Sequence, residues 1–485
     1  MKERIMLIYP PGDLFIRGED RCQANVEVTT ATSMRACNDL GYCAAVLLNK
    51  GYRVYLKDYQ TENLEFHHVK QDIDAFSPDM IFISTTTGSI LNDLVFIKKI
   101  KKYRECSVVL KGAIFYDASD QVFQSLDLDD VDYLIGCEAE ACIGQIADWA
   151  LRKKGNIDEV YNIFYKDKKK KEFIKTEFGL WKEDIEELPF PTRELMNNDL
   201  YVRPDTGEAM ATIQISRGCP FSCIYCLSPI ISGRKIRQRS TKNVMQEIEE
   251  CYYKHKIKNF FLKADNFTMN EEWVEELCNL ILSSSLKGKI QFTANSRVHP
   301  LTLRTLQLMK LAGCFAIAFG FESGSEHTLK LIKKGTNRSQ NMRAAKWAKN
   351  AGLLVYGFFM IGFPWETKYH LEDTKRHIFD IQPDFLEIFI AQPQYGTDLY
   401  LQCIKKKTLS HQGNVLGSDF YNACITGTQS LSLNYLISFR NKTIWKYYFR
   451  PTYIGARLRD CINNPKILLN YIRYGCKLLK LSLKF

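Results

Sequence analysis

Ile215-Ser-Arg-Gly-Cys-Pro-Phe-Ser-Cys-Ile-Tyr-Cys226 places three thiols, Cys219, Cys223 and Cys226, in C-x3-C-x2-C spacing behind the strand-like run Ala211-Thr-Ile-Gln-Ile215. Three is the informative number. A structural zinc site normally takes four protein ligands, whereas a [4Fe-4S] cluster held by three cysteines leaves one iron open to a further ligand. The other cysteines among the sixteen lie singly within apolar patterns, as at Cys43, Cys278 and Cys314. They read as reduced buried thiols and place the chain in a cytoplasm.

Downstream of the loop, strand-like runs alternate with helical patterns: Asn259-Phe-Phe-Leu-Lys263, Ile290-Gln-Phe-Thr-Ala294, Phe315-Ala-Ile-Ala-Phe319, Leu354 to Met360, and Phe385 to Ile390. With the strand before Cys219 they make six, which predicts a six-stranded partial (β/α) barrel with its active site at the carboxyl ends of the strands. Those ends carry Ala264-Asp-Asn-Phe-Thr268, Asn295-Ser-Arg297, Gly320-Phe-Glu-Ser-Gly324, Gly362-Phe-Pro364 and Gln392-Pro-Gln-Tyr-Gly-Thr397. Taken singly, an Asp-Asn pair is a turn or helix cap, and a strand-end glutamate is a salt-bridge partner.

Taken together, the cysteine spacing, Gly218, Tyr225 and the order of the strand-end motifs resemble the radical SAM superfamily. The resemblance implies a reduced [4Fe-4S] cluster whose open iron chelates S-adenosylmethionine and cleaves it to methionine and a 5′-deoxyadenosyl radical. It implies that strand-end side chains hold the amino, carboxylate and ribose groups of that cofactor. Glu322 leads these candidates, followed by Asp265, Asn266, Arg297 and Tyr225. Arg234, Arg237 and Arg239 follow the cluster loop and either clamp an anionic group or close the barrel with salt bridges.

In the first third, strands at Ile5 to Tyr9, Arg53 to Leu56, Asp79 to Ser84, Ser107 to Leu110 and Val131 to Ile135 alternate with helices. This pattern predicts a doubly wound parallel sheet, with ligand-binding loops after the strands. Those loops are rich in hydroxyls and glycines and include Ser84, Thr85, Thr86, Gly112 and Glu138. No G-x-G-x-x-G follows the first strand, which disfavours a dinucleotide. The order of elements, the helix start Leu40-Gly-Tyr-Cys-Ala-Ala-Val-Leu47 and the strand ending at Ser84 resemble the cobalamin-binding domain found ahead of many radical SAM cores. Three departures stand out: the Asp-x-His-x-x-Gly signature is absent, Lys111-Gly112 replaces Gly-Gly, and Cys137 replaces a glycine. His67 and His68 read as surface residues.

The expected organisation is therefore a Rossmann-like cobalamin-binding domain (1–153), a linker with a hairpin around Lys168 to Lys171 (154–198), the barrel (199–400) and a helical region (401–485). Met1-Lys-Glu-Arg4 leads into a first strand, not a signal sequence, and the longest apolar run, Gly352 to Phe363, is too short to span a bilayer. The net charge of +11 is spread thinly without an aromatic-basic platform, which reads as a solvated surface and disfavours nucleic acid. The basic, aromatic tail reads as a cap that shapes the substrate pocket, in preference to an amphipathic helix on a membrane surface. By resemblance, the chain is a methyltransferase acting on an unactivated centre of a small molecule, with flavodoxin or ferredoxin as electron donor. A radical enzyme without cobalamin, one that cyclises or rearranges its substrate, and a non-catalytic sensor are the alternatives.

Overall fold

The computed structural model describes residues 2–18, 24–29, 33–116, 118, 120–167, 169–182, 184–410, 415–418, 423–463 and 467–483. Lys168 of the expected hairpin turn, Lys466 and the final Phe485 lie outside the described residues.

Two sheets make the frame. In the first, β1 (Arg4–Tyr9), β2 (Arg53–Asp58), β3 (Met80–Ser84), β4 (Ser107–Lys111) and β5 (Tyr133–Ile135) run parallel in the order β2-β1-β3-β4-β5. Ile5–Ile8 and Met80–Ile83 are wholly buried, as expected when helices cover both faces of a parallel sheet. The hairpin of the linker joins this sheet. Its strands β6 (Ile163–Asp167) and β7 (Glu172–Lys175) add antiparallel to β5 and extend the sheet to seven strands.

The second sheet is the partial barrel. It consists of β8 (Met210–Gln214), followed after the two-residue ladder of β9 (Ser216–Arg217) and β10 (Arg237–Gln238) by β11 (Asn259–Lys263), β12 (Gln291–Ser296), β13 (Cys314–Glu322), β14 (Leu354–Ile361) and β15 (Phe385–Ile390). The six long strands are parallel and consecutive in space. Short polar side chains start the intervening helices: Ser240, Asn270, Thr302, Ser325 and Asn337 each accept a hydrogen bond from the backbone N–H three residues on.

The carboxyl ends of the two sheets meet. Asn38 donates to the carbonyl of Thr212 at 2.7 Å, and Lys263 donates to that of Gly18 at 3.2 Å. At the opposite, amino-terminal end, the helices Leu433–Tyr448, Pro451–Asn463 and Leu468–Leu483 close the barrel. There Tyr448 brackets the Leu386 peptide, and Arg457 pairs with Asp384 at 2.9 Å. No described helix is long and apolar enough to cross a membrane.

His377 is fully buried behind β14, and burial lowers its pKa from 6.5 to about 4. A folded-state value below the unfolded one means that the chain folds with a neutral imidazole and must charge it on acidification. The stability due to His377 is intact above pH 6.5 and is lost as pH falls towards 4, by up to about 3 kcal/mol. His377→Gln, unfolded in denaturant across that range, flattens the acid limb of the stability profile; an unchanged limb refutes the assignment.

Candidate active site

The cluster loop leaves β8 and is gripped on both sides. β9 and β10 pair antiparallel across its base, and the Cys219 N–H donates to the carbonyl of Gly233 at 3.0 Å. Gly218 takes φ +91°, and a Cβ there would lie 2.1 Å from the carbonyl oxygen of Lys235, so only glycine passes the crossing. Further along, the Ile224 N–H donates to the Ile332 carbonyl at 3.1 Å, and the Ile224 carbonyl accepts from Leu399 at 2.9 Å. The loop is thereby tied to strand-end segments beyond β13 and β15.

Burial pushes up the Cys219 thiol and pushes that of Cys226 up to about 11, and the neighbouring Cys223 raises both further. Neither is a thiolate on its own at neutral pH. A bound cation must draw the protons off, which is what iron does to its thiol ligands. Arg297 sits at the loop, its guanidinium 3.7 Å above the Phe221 ring and 3.5 Å from Cys223 Sγ. The donor set therefore fits a cluster: three thiols on one loop with a cation beside them. Among the described residues, the only three metal-capable side chains whose ligand atoms lie within 4.8 Å of one another, as a single ion requires, are Glu194, Glu250 and His255, elsewhere on the molecule.

Glu322, buried at the carboxyl end of β13, adopts φ +63° at a register shift between Gly320 and Glu322. That irregularity turns its carboxylate into the barrel, where it pairs with Lys334 at 2.7 Å. Lys334 Nζ is also 3.4 Å from the Tyr225 hydroxyl. Burial, reinforced by Glu322, keeps that phenol protonated. Cys226, Tyr225, Glu322, Asn295 and Gln394 line one cavity of about 250 Å³ within the barrel. Lys334 was not singled out in the sequence.

The other expected residues divide. Asp265 accepts from Ser228 at 2.8 Å beside the loop. Asn266 Oδ1 accepts from the Ser296 hydroxyl and from the Arg297 N–H, each at 3.1 Å, so it joins the ends of β11 and β12. Arg237 is ion-paired with Glu138 and Arg239 with Glu247, while Arg234 reaches Ser222 at 3.1 Å. Of the two readings of these arginines, the structure displays the salt bridges for Arg237 and Arg239. Glu138 and Glu140, after β5, also pair with Arg217 of β9, clasping the first domain to the base of the cluster loop.

Ser84, Thr85 and Thr86 cluster at the end of β3. Asp93 there accepts from Thr85 at 2.6 Å and from Ser89 at 2.7 Å, and it pairs with the buried Arg17 at 2.6 Å. Thr86 bonds Ser89 at 3.0 Å. A Cβ on Gly112 would come within 2.7 Å of Thr85, so glycine permits the close approach of these loops.

Comparison with known proteins bears on this geometry. Residues 213–378, which contain the loop and most of the barrel, match the radical SAM superfamily. These residues form a radical SAM domain. The radical SAM domain makes the chain an enzyme that uses a [4Fe-4S] cluster and S-adenosylmethionine. An uncharacterized methyltransferase of Pyrococcus horikoshii is 28% identical over 84% of this chain and 84% of its own. The cytidylyl-2-hydroxyethylphosphonate methyltransferase of Streptomyces wedmorensis is 26% identical over 83% of this chain and 82% of its own. Among solved structures, the cobalamin-dependent radical enzyme OxsB, with aqua-cobalamin and S-adenosylmethionine bound, superposes with a TM-score of 0.71 at 16% identity, covering 99% of this chain and 72% of OxsB. The radical SAM methyltransferase TsrM of Kitasatospora setae, with cobalamin and a [4Fe-4S] cluster bound, gives 0.65 at 13% identity, covering 83% and 75%. The fold is thus shared well beyond the radical SAM domain, through the Rossmann-like sheet.

Proposed function

We propose that the chain is a cobalamin-dependent radical SAM methyltransferase acting on an unactivated centre of a small molecule. One observation carries the reading: the carboxyl ends of both sheets face each other across the cluster loop. A single cavity between them is lined by Lys111, Glu138 and Glu140 from the first sheet and by Arg217, Ser228 and Asp265 from the barrel. Each sheet thus offers its ligand-binding edge to the same space.

Cobalamin fits the donor chemistry of that edge. Buried Asn38 Oδ1 and Asp39 Oδ2, on residues that line the cavity, have no hydrogen-bond partner, and amide donors on a corrin rim would supply them. Among the described residues after the strands of the first sheet there is no histidine, and His67 and His68 lie on the helix Phe66–Phe76, so cobalt would be held without an imidazole from that sheet's loops. When bound, the cluster with S-adenosylmethionine supplies a hydrogen-abstracting radical, and methylcobalamin supplies a methyl group.

The chain's own residues bind, orient and exclude water. Cys219, Cys223 and Cys226 would hold three irons. Glu322 and Lys334 present opposite charges beside the loop, which suits the ammonium and carboxylate of S-adenosylmethionine, with the Tyr225 hydroxyl alongside. Asp265, Asn266 and Arg297 would fix the strand ends around the cofactor, and a flavodoxin or ferredoxin would deliver the electron. The names of the two relatives above support methyl transfer over cyclisation.

Anaerobic purification and reconstitution test the reading. A corrin absorption band should accompany the protein at about one per chain, and methyl-labelled S-adenosylmethionine should label the cobalt. Radical cleavage without any corrin would leave an iron-sulfur enzyme and refute the cobalamin assignment.

A further inference from the structure

The cavity that holds the cluster loop's Tyr225 and Cys226 reaches deep into the barrel. Phe315 and Glu322 lie at opposite ends of β13 and line the same cavity. Seven residue steps on a tilted strand make that cavity about 20 Å deep. Tyr225, Glu322, Asn295 and Gln394 line it at the cluster end and the Arg35 guanidinium lies 4.2 Å over the Phe261 ring, whereas Phe261, Phe315, Phe358, Met360 and Phe389 give it mostly apolar walls. A second cavity, also of about 250 Å³, lies beneath the C-terminal helices. Pro204 and Tyr356 line both, so only these side chains stand between the two spaces, and the Tyr356 ring stacks on Phe385 with centroids 4.5 Å apart.

The second space is lined by Phe385, Tyr453, Leu458, Leu468, Ile472 and Gly475, among others. Its two charged residues are already engaged, Asp205 by Arg203 at 2.6 Å and Arg457 by Asp384 at 2.9 Å. Water finds few partners on such a surface, and an apolar group displaces it favourably. Leu458 and Ile472, 54% and 53% exposed, give the space an apolar lip at the surface.

We propose that the two cavities form one continuous site for a long apolar chain on the substrate, running from the cluster end of the lumen, past Tyr356, to the cleft beneath the C-terminal helices. A compact polar molecule would touch only the first few ångströms of this path. The proposal rests on the radical-enzyme reading above, since it places the reacting carbon at the cluster end, and it names the class of substrate that reading leaves open.

The test uses the full chain, reconstituted anaerobically, and titrates it with cis-parinaric acid, a fluorescent eighteen-carbon chain. One saturable site per chain is expected. Ala318→Phe obstructs the lumen. Gly475→Trp fills the outer cleft from a position whose Cβ would meet no atom within 4 Å. Each should weaken binding at least about tenfold, the equivalent of roughly two methylenes returned to water. Iron content confirms that each variant is folded, and should Ala318→Phe fail that check, Gly475→Trp carries the test. Absence of saturable binding, or unchanged affinity in a folded variant, overturns the proposal. Cleavage of S-adenosylmethionine is followed separately: its absence would sink the radical reading, and the probe titration does not depend on it.

Discussion

Replacing Cys219, Cys223 or Cys226 singly with alanine should reduce the iron content of the reconstituted chain from about four per molecule to a trace, and abolish 5′-deoxyadenosine formation with it. The expectation follows from how the loop is built. Its three thiols share one short segment gripped by β9, β10 and the Gly233 carbonyl, so each substitution removes one ligand from a fixed set. Burial holds Cys219 and Cys226 protonated in the absence of metal, so the cation and the thiolates depend on each other. A cube left with two protein thiolates exposes two irons and falls apart. Cys278→Ala is the control, because that thiol is fully buried in the helix Glu271–Ser283 with other core side chains. Iron and deoxyadenosine should be unchanged there. Equal loss in the control, or retained iron in all three loop variants, would remove the basis for the cluster assignment.

The second large effect concerns stability. Glu247 is 1% exposed and lies between two buried guanidinium groups, bonding Arg193 at 2.7 Å and Arg239 at 2.5 Å. Arg193 belongs to the connector between the sheets and Arg239 follows β10, so this carboxylate joins the connector, the base of the cluster loop and the helix Thr241–Tyr253. Glu247→Ala leaves two cations facing each other without a counter-charge, at a cost of about 3–5 kcal/mol. Glu247→Gln keeps a hydrogen-bonding amide but not the charge and should lose somewhat less. Denaturant unfolding reads the difference, and a wild-type midpoint in Glu247→Ala would show that the arginines find other partners. The sequence reading had left Arg239 between an anion clamp and a salt bridge. The salt bridge is present because Glu247 lies eight residues along, two helical turns into the next helix, a relation visible only once the helix start is placed.

Much of the architecture was legible because it is written in local periodicity. Six apolar runs followed by helical patterns predicted six parallel strands, and Ser240-Thr-Lys-Asn243 announced a capped helix, as observed. The cysteine trio needed only its own spacing. Less legible was the hairpin Val160 to Lys175, whose strands continue the first sheet: a short antiparallel edge carries no signal of what it pairs with. Lys334 and Arg217 were given no role from the sequence, yet one meets Glu322 and the other clasps Glu138 and Glu140. Their partners lie 12 residues away in the first case, and 79 and 77 in the second.

By itself, then, the sequence determined which elements form, in what order, and that three thiols share one loop, since these follow from side-chain period and from neighbours a few residues apart. Only the tertiary structure decided that both sheets turn their carboxyl ends to one cavity, that Glu138 pairs with arginines at the base of the cluster loop, and that a second apolar cavity lies beneath the C-terminal helices. Those outcomes depend on packing between segments distant in the chain, where burial and charge pairing choose among arrangements that local propensity leaves equal.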